Sequence, residues 1–246
     1  MMKKTSILLF WLLVWQMFSL LFQNHLLLVG PIDTLNALCT LLFSQNFFAS
    51  IWFSFARISG GFFLALFTGI LTASLSYWKP LIRDFLEPPI QLMKSIPVAS
   101  FVILALIWTG SEHLSVLISF LVSYPMFYVS VLSGLTNTDV KLLEMARVFH
   151  VPVWNQALFL YRVSLYPYLE STMKTALAMA FKSGIAAEVI GVPEGSIGEG
   201  LYLSKIYLST AELFACLSQC ILANRYDSIL DDVKEKVYTR DLFQRD

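Results

Sequence analysis

Apolar runs about as long as a bilayer is thick, separated by short polar interludes, restrict this sequence to a helical membrane fold. About 20 helical residues span the hydrocarbon core, where a helix satisfies its own backbone hydrogen bonds. Five runs qualify: Ile7 to Leu28, Phe55 to Tyr77, a third from the Glu87-Pro88-Pro89 break to Trp108, Leu114 to Leu132 after a Gly110-Ser111-Glu112-His113 turn, and Met173 to Ile190. A sixth, Leu213 to Ala223, is weak: Ser218 and Gln219 interrupt it and Asn224-Arg225-Tyr226-Asp227 follow at once. Composition agrees, because 57% of residues are hydrophobic and 14% charged, against roughly a quarter charged in ordinary soluble domains. The expectation is an all-α polytopic membrane protein with about six transmembrane helices. Lys3-Lys4 before the first run looks like a secretory signal, but the run is long and no small-residue cleavage site follows Leu20, so it reads as a retained anchor.

Basic loop residues set the orientation. Lys3, Lys4, Lys79, Arg83, Lys141, Arg147 and Arg162 fall on one side of the alternating spans, and the other side receives almost only Lys205. The N-terminus, the loop around Glu144 and the tail are therefore expected in the cytoplasm.

Several functions are disfavoured. Formal net charge is zero and no basic stripe exists, which argues against a nucleic-acid partner. Cys39, Cys216 and Cys220 have no paired-motif spacing, so neither a disulfide framework nor a metal site is implied. There is no phosphate-cradling Gly-x-x-x-x-Gly-Lys-Ser/Thr loop; Gly195-Ser196-Ile197-Gly198-Glu199-Gly200 has neither that spacing nor the dinucleotide one. His25, His113 and His150 lie in separate loops, and no catalytic motif is present.

The interlude Leu143-Glu144-Met145-Ala146-Arg147-Val148-Phe149-His150-Val151-Pro152-Val153-Trp154 carries its own helices. Leu142, Ala146 and Phe149 recur on one face, with Lys141, Glu144 and Arg147 off it. The first helix should end near His150. Pro152 suits the start of a second, on which Trp154, Leu158 and Tyr161 share a face.

Glu-Met-Ala-Arg-Val-Phe-His, followed by Trp154 and later Pro167, resembles the Glu-Ala-Ala loop of binding-protein-dependent ABC importer permeases. Met145 replaces Ala, His150 stands where the family has Gly, and Arg162-Val163 stand where it usually has Leu-Pro. His is among the residues that tolerate a left-handed helix end, so the turn should survive. Ser95-Ile96-Pro97, Ile107-Trp108-Thr109-Gly110, Arg57 before Gly60-Gly61, and Ala186-Ala187-Glu188-Val189-Ile190-Gly191 are similar to permeases of the nitrate, sulfonate and taurine class. The likeness runs in order from about Ser54 to Phe214.

The resemblance implies a type I importer permease with an N-terminal transmembrane anchor at 1–29, a permease domain at 47–223 that includes a cytoplasmic coupling loop at 134–168, and a polar cytoplasmic tail at 224–246. Leu143, Glu144, Met145, Ala146, Phe149, His150, Trp154 and Pro167 would form the contact with an ATPase. It also implies ATP and Mg on that ATPase subunit with no cofactor on this chain, an extracytoplasmic solute-binding protein, a permease homodimer in membrane lipid, and residence in a bacterial cell membrane. Ser95, Pro97, Lys182, Glu188 and Arg57 are candidates for the translocation path.

Charges inside a span are costly and usually face protein or water. Two readings stand for Lys182: it lines the path of an anion together with Lys174, or it pairs with a neighbouring helix or snorkels. Glu188 would repel an anion and reads as a gate or packing contact, while Arg57 fits a snorkelling residue. The segment Gly191 to Tyr207, with Glu194 and Glu199, reads either as a contact for the binding protein or as a solvated loop. A truncated or inactive permease and an ion-coupled secondary transporter are the alternative functions; the latter should show inverted repeats, and none is apparent between the halves.

Overall fold

The computed structural model describes residues 2–22, 29–43 and 46–225, and every regular element among them is helical. In chain order these are α1 (Met2–Phe22), α2 (Pro31–Leu42), α3 (Asn46–Trp78), α4 (Pro80–Ser95), α5 (Val98–Thr136), α6 (Val140–Val148), α7 (Val153–Gln156), a π-helical turn (Ala157–Tyr161), α8 (Arg162–Gly191), α9 (Ile197–Ile206) and α10 (Thr210–Arg225). His25 and the expected tail beyond Arg225 lie outside the described residues.

Two helices, Phe47–Trp78 and Val98–Thr136, are long and apolar enough to cross a membrane, and α1 carries a shorter apolar run, Leu9–Leu21. Two of the six expected crossings are thus clear among the described residues. α8 has the length, about 45 Å at 1.5 Å per residue, but it spreads Glu170, Lys174, Lys182 and Glu188 along itself. α10 is about 24 Å long, short of the ~30 Å hydrocarbon core.

α5 is the central column, packed between α3 and α8. Ile58, Phe62 and Ala65 of α3 meet Phe127 and Val131 of α5 and Ala176, Ala180 and Phe181 of α8 in one buried cluster. Lipid tails are as apolar as leucine, so such helices associate through close fit, and small residues at the contacts allow it. A Cβ on Gly184 would stand 2.7 Å from Ile58 Cγ1 and 2.8 Å from Ser119 Oγ, which makes this glycine the point where the three helices converge. A second cluster joins Ile197 and Leu201 of α9 to Cys216 of α10, with Leu41 of α2 and Ile51 of α3 against it.

Three sequence expectations are corrected. The break expected at Glu87-Pro88-Pro89 falls instead at Ile96, the extended residue before Pro97, and both prolines lie inside α4. Their missing N–H groups leave the carbonyls of Asp84 and Phe85 on an exposed face, where other donors can reach them. The Gly110–His113 turn shrinks to one residue, Gly110 at φ 69°, a left-handed conformation open to glycine, and helix resumes directly after it. The glycine-rich segment read as a loop contains α9: Ser196 Oγ accepts from Glu199 N at 3.0 Å, and Glu199 Oε2 accepts from Gly195 N at 2.6 Å. A Ser-x-x-Glu cap followed by apolar Ile197 and Leu201 was the signal for this helix.

Candidate functional site

At one end of the bundle, α6 is a separately capped helix. Asp139 accepts from Lys141 N at 2.9 Å at its start. At its close Val151 N donates to Ala146 O at 2.9 Å and His150 N to Arg147 O at 3.1 Å, with His150 at φ 48°. This paired 6→1 and 5→2 closure around a left-handed residue is the Schellman arrangement, here built on His instead of Gly. The expected helix, tight turn and second helix are present, but the second helix differs from expectation. α7 has four residues and passes through the π-helical turn straight into α8. The side chains of Trp154 and Leu158, expected on one face with Tyr161, lie outside the described residues.

The side chains of α6 divide differently from the periodic reading. Ala146 is buried and Leu143 half-buried, whereas Glu144 is exposed and Met145, Val148 and Phe149 are bare to 51%, 74% and 73%. Ala146 anchors the helix, and Phe149, expected on the same face, points away with Val148 and Met145. His150 is exposed, Pro167 lies exposed inside α8, and the side chain of Trp154 lies outside the described residues.

Below α6, the two helices that flank it are fastened together. Ser130 Oγ donates to Tyr168 O at 3.0 Å, Thr172 Oγ1 to Ser130 Oγ at 2.7 Å, and Asn137 Nδ2 to Tyr168 Oη at 3.1 Å. Gly134 lets Leu165 and Tyr168 close over α5. Tyr161 packs edge-on against Tyr77 at the end of α3, with centroids 5.8 Å apart. Burial, with the Tyr77 hydroxyl beside it, pushes the Tyr161 phenol up to about 12, and Arg147 of α6 acts in the opposite direction. These contacts join α3, α5 and α8 at the end of the bundle that carries α6. None of Ser130, Gly134, Asn137, Tyr168 and Tyr77 was singled out from sequence, because their roles depend on which helices meet.

Among the expected path residues, the structure brings two together and separates the rest. Glu188 is fully buried and Ser54 Oγ donates to its Oε2 at 2.6 Å; Ile197 N in turn donates to Ser54 Oγ at 3.0 Å. Gly198 is packed so tightly on Glu188 that no side chain fits there. One serine thus links α3, α8 and the start of α9. Arg57, one turn along α3 from Ser54, lies 4.0 Å over the Phe53 ring with its Nη1 buried and unpaired. Glu188 Oε1 and Ser115 Oγ are also buried without partners. Val192 ends α8 at φ 47°, a strained conformation for a β-branched residue.

Lys182 is exposed and has no ionic partner among the described residues, while Lys174 pairs with Glu170 at 3.4 Å. Ser95 and Pro97 are exposed at the α4–α5 junction, far in sequence from the Glu188 cluster, and Ser95 Oγ donates to Gln91 O at 2.7 Å. Cys39 is exposed, Cys216 is buried, and the side chain of Cys220 lies outside the described residues. Among those residues no group of three or more His, Cys, Asp or Glu is placed to hold a metal ion.

No protein-family model matches the chain. It is 27% identical over 194 residues to a probable ABC transporter permease protein of Brucella melitensis, covering 77% of each chain. It is 23% identical over 186 residues to the putative aliphatic sulfonates transport permease protein of Bacillus subtilis, with 75% of this chain and 67% of the relative covered. The taurine transport system permease protein of Escherichia coli is 24% identical over 187 residues, covering 74% of this chain and 68% of its own.

Proposed function

We propose that this homologue of ABC transporter permeases is the membrane-spanning subunit of an ATP-driven importer for a small anionic solute of the sulfonate, taurine or nitrate kind. The observation that carries the reading is the extent of the likeness: about three-quarters of the chain aligns with permeases of transport systems for such solutes. The relatives are transport permeases rather than enzymes, so ATP, with its Mg, is hydrolysed on a separate ATPase subunit.

The geometry supports a division of labour. α6 offers Met145, Val148 and Phe149 as an apolar edge beside the exposed Glu144, suited to a groove on the ATPase. Closure of the ATPase pair presses on α6, and the fastened bases of α5 and α8 with the Tyr77–Tyr161 contact carry the displacement into the bundle. At the other end, the Ser54–Glu188–Ile197 link holds α9 to α3 and α8, giving a firm rim for the solute-binding protein. The exposed Lys182 of α8 supplies positive charge for an anion between two permease copies. The N-terminus and α6 lie in the cytoplasm by the balance of basic loop residues.

The test is mild purification of the tagged chain from native membranes with mass spectrometry of what accompanies it. An ATPase subunit at about one per permease copy is expected, and Glu144→Lys should lose both it and solute uptake while still inserting. A chain that emerges alone from every mild detergent sinks the reading.

A further inference from the structure

A trough separate from the residues above lies between α4 and α5. Arg83, Glu87, Gln91 and Lys94 share one face of α4 at helical spacing and look across a cavity of about 270 Å³ onto Tyr128 and Ser133 of α5. Ile90 and Tyr128, each 4% exposed, form its floor. The Tyr128 hydroxyl is buried and has no hydrogen-bond partner. Among the described residues, Arg83, Lys94 and Glu87 have no ion-pair partner, although a facing charge one turn away is available to Arg83. Ser133 is one turn from the end of α5, so the trough opens at the α6 end of the bundle.

Two unpaired cations at the ends of a trough, a single carboxylate between them and neutral donors on the wall leave one net positive charge. Arg presents a planar fork of donors matched to oxyanions, and Lys adds a point charge. An apolar ligand would leave both charges unpaired, and a cation would be repelled.

We infer that the α4–α5 trough binds a singly charged oxyanion, a sulfonate, carboxylate or phosphodiester group, with Arg83 and Lys94 as its principal contacts. The same chemistry is offered by a small solute and by an acidic lipid headgroup. If the importer reading holds, the trough lies where a solute leaves the path on the α6 side, and that placement alone rests on it.

The experiment uses the full-length chain purified in neutral detergent and needs no ATPase, so its failure is distinct from failure of the importer reading. Equilibrium dialysis against ¹⁴C-methanesulfonate compares the native chain with R83Q, K94Q, the double variant and K205Q, a charge control on α9. Mass spectrometry of the lipid retained by each sample runs in parallel. Arg83 and Lys94 are exposed, so their variants fold, which an unchanged melting temperature verifies. Saturable binding weakened at least tenfold in R83Q/K94Q but not in K205Q, and weakened by added salt, supports a free oxyanion. Acidic phospholipid kept by the native chain and lost from R83Q/K94Q supports the same site filled by a headgroup. If the double variant matches the native chain in both binding and retained lipid, the inference is overturned.

Discussion

Replacing Ser54 with alanine tests whether one hydroxyl joins three helices. Ser54 Oγ donates to Glu188 Oε2 at 2.6 Å and accepts from Ile197 N at 3.0 Å, and Glu188 is fully buried. The change removes no helix contact larger than a hydroxyl, yet it strips a buried carboxyl oxygen of its donor and a buried N–H of its acceptor. Gly198 N and Ser115 Oγ are the other donors beside the Glu188 carboxyl, so the lost donor can be offset there while Ile197 N is left without its acceptor. Leaving a buried group unsatisfied costs roughly 1–3 kcal/mol, more for a charged one, which sums to about 2–5 kcal/mol for the pair. At roughly 2–4 °C per kcal/mol for a chain of this size, the melting temperature should fall by about 4–20 °C. The assay is thermal unfolding of purified Ser54→Ala in one fixed detergent, beside Glu188→Met, which removes the acceptor, and the double variant. The two single effects should be strongly non-additive, because either change breaks the same link. A Ser54→Ala protein within about 0.5 kcal/mol of the native chain, or strictly additive effects, would show that the three helices are held by packing alone.

Other expectations follow from single residues. Gly184→Val should destabilise by about 1–3 kcal/mol through overpacking against Ile58 and Ser119, read by the same thermal assay; a neutral result would contradict the three-helix convergence. Val192→Gly relieves a left-handed β-branched residue and should stabilise by about 1–2 kcal/mol, and any loss of stability would mean the Val192 side chain contributes more than its strain costs. His150→Gly should likewise preserve ATPase association and uptake, whereas His150→Val should weaken both by disturbing the close of α6; equal behaviour of the two would remove the left-handed turn from the account. Phe149→Ser should reduce copurifying ATPase severalfold with no change in melting temperature, since Phe149 is 73% exposed; unaltered copurification would place the docking edge elsewhere.

Much of the end that bears α6 was legible in sequence because its signals are local. The helix ending at His150, the restart after Pro152 and the tolerance of His for a left-handed turn depend on residues within one or two turns. The assignment of side chains to faces was less legible: periodicity put Ala146 and Phe149 together, but one anchors and the other projects. Two residues three apart differ by about 60° around a helix, enough to fall on either side of a contact boundary that periodicity alone does not locate. Pro88 and Pro89 misled for the opposite reason. Their cost depends on whether the freed carbonyls face solvent or a neighbouring helix, and only the placement of α4 decides that.

The sequence by itself determined a helical membrane chain, the class of transporter it resembles and the existence of α6, since hydrophobic run length, backbone self-satisfaction and helix caps act over a few residues. Tertiary structure alone decided that Ser54 would serve Glu188 and Ile197, more than 130 positions away, that Gly184 would sit where three helices meet, and that Arg83 and Lys94 would bound one trough with Tyr128 as its floor. These pairings depend on how helices are rotated and shifted against one another. That choice is made by the fit of whole surfaces in a solvent as apolar as the side chains themselves.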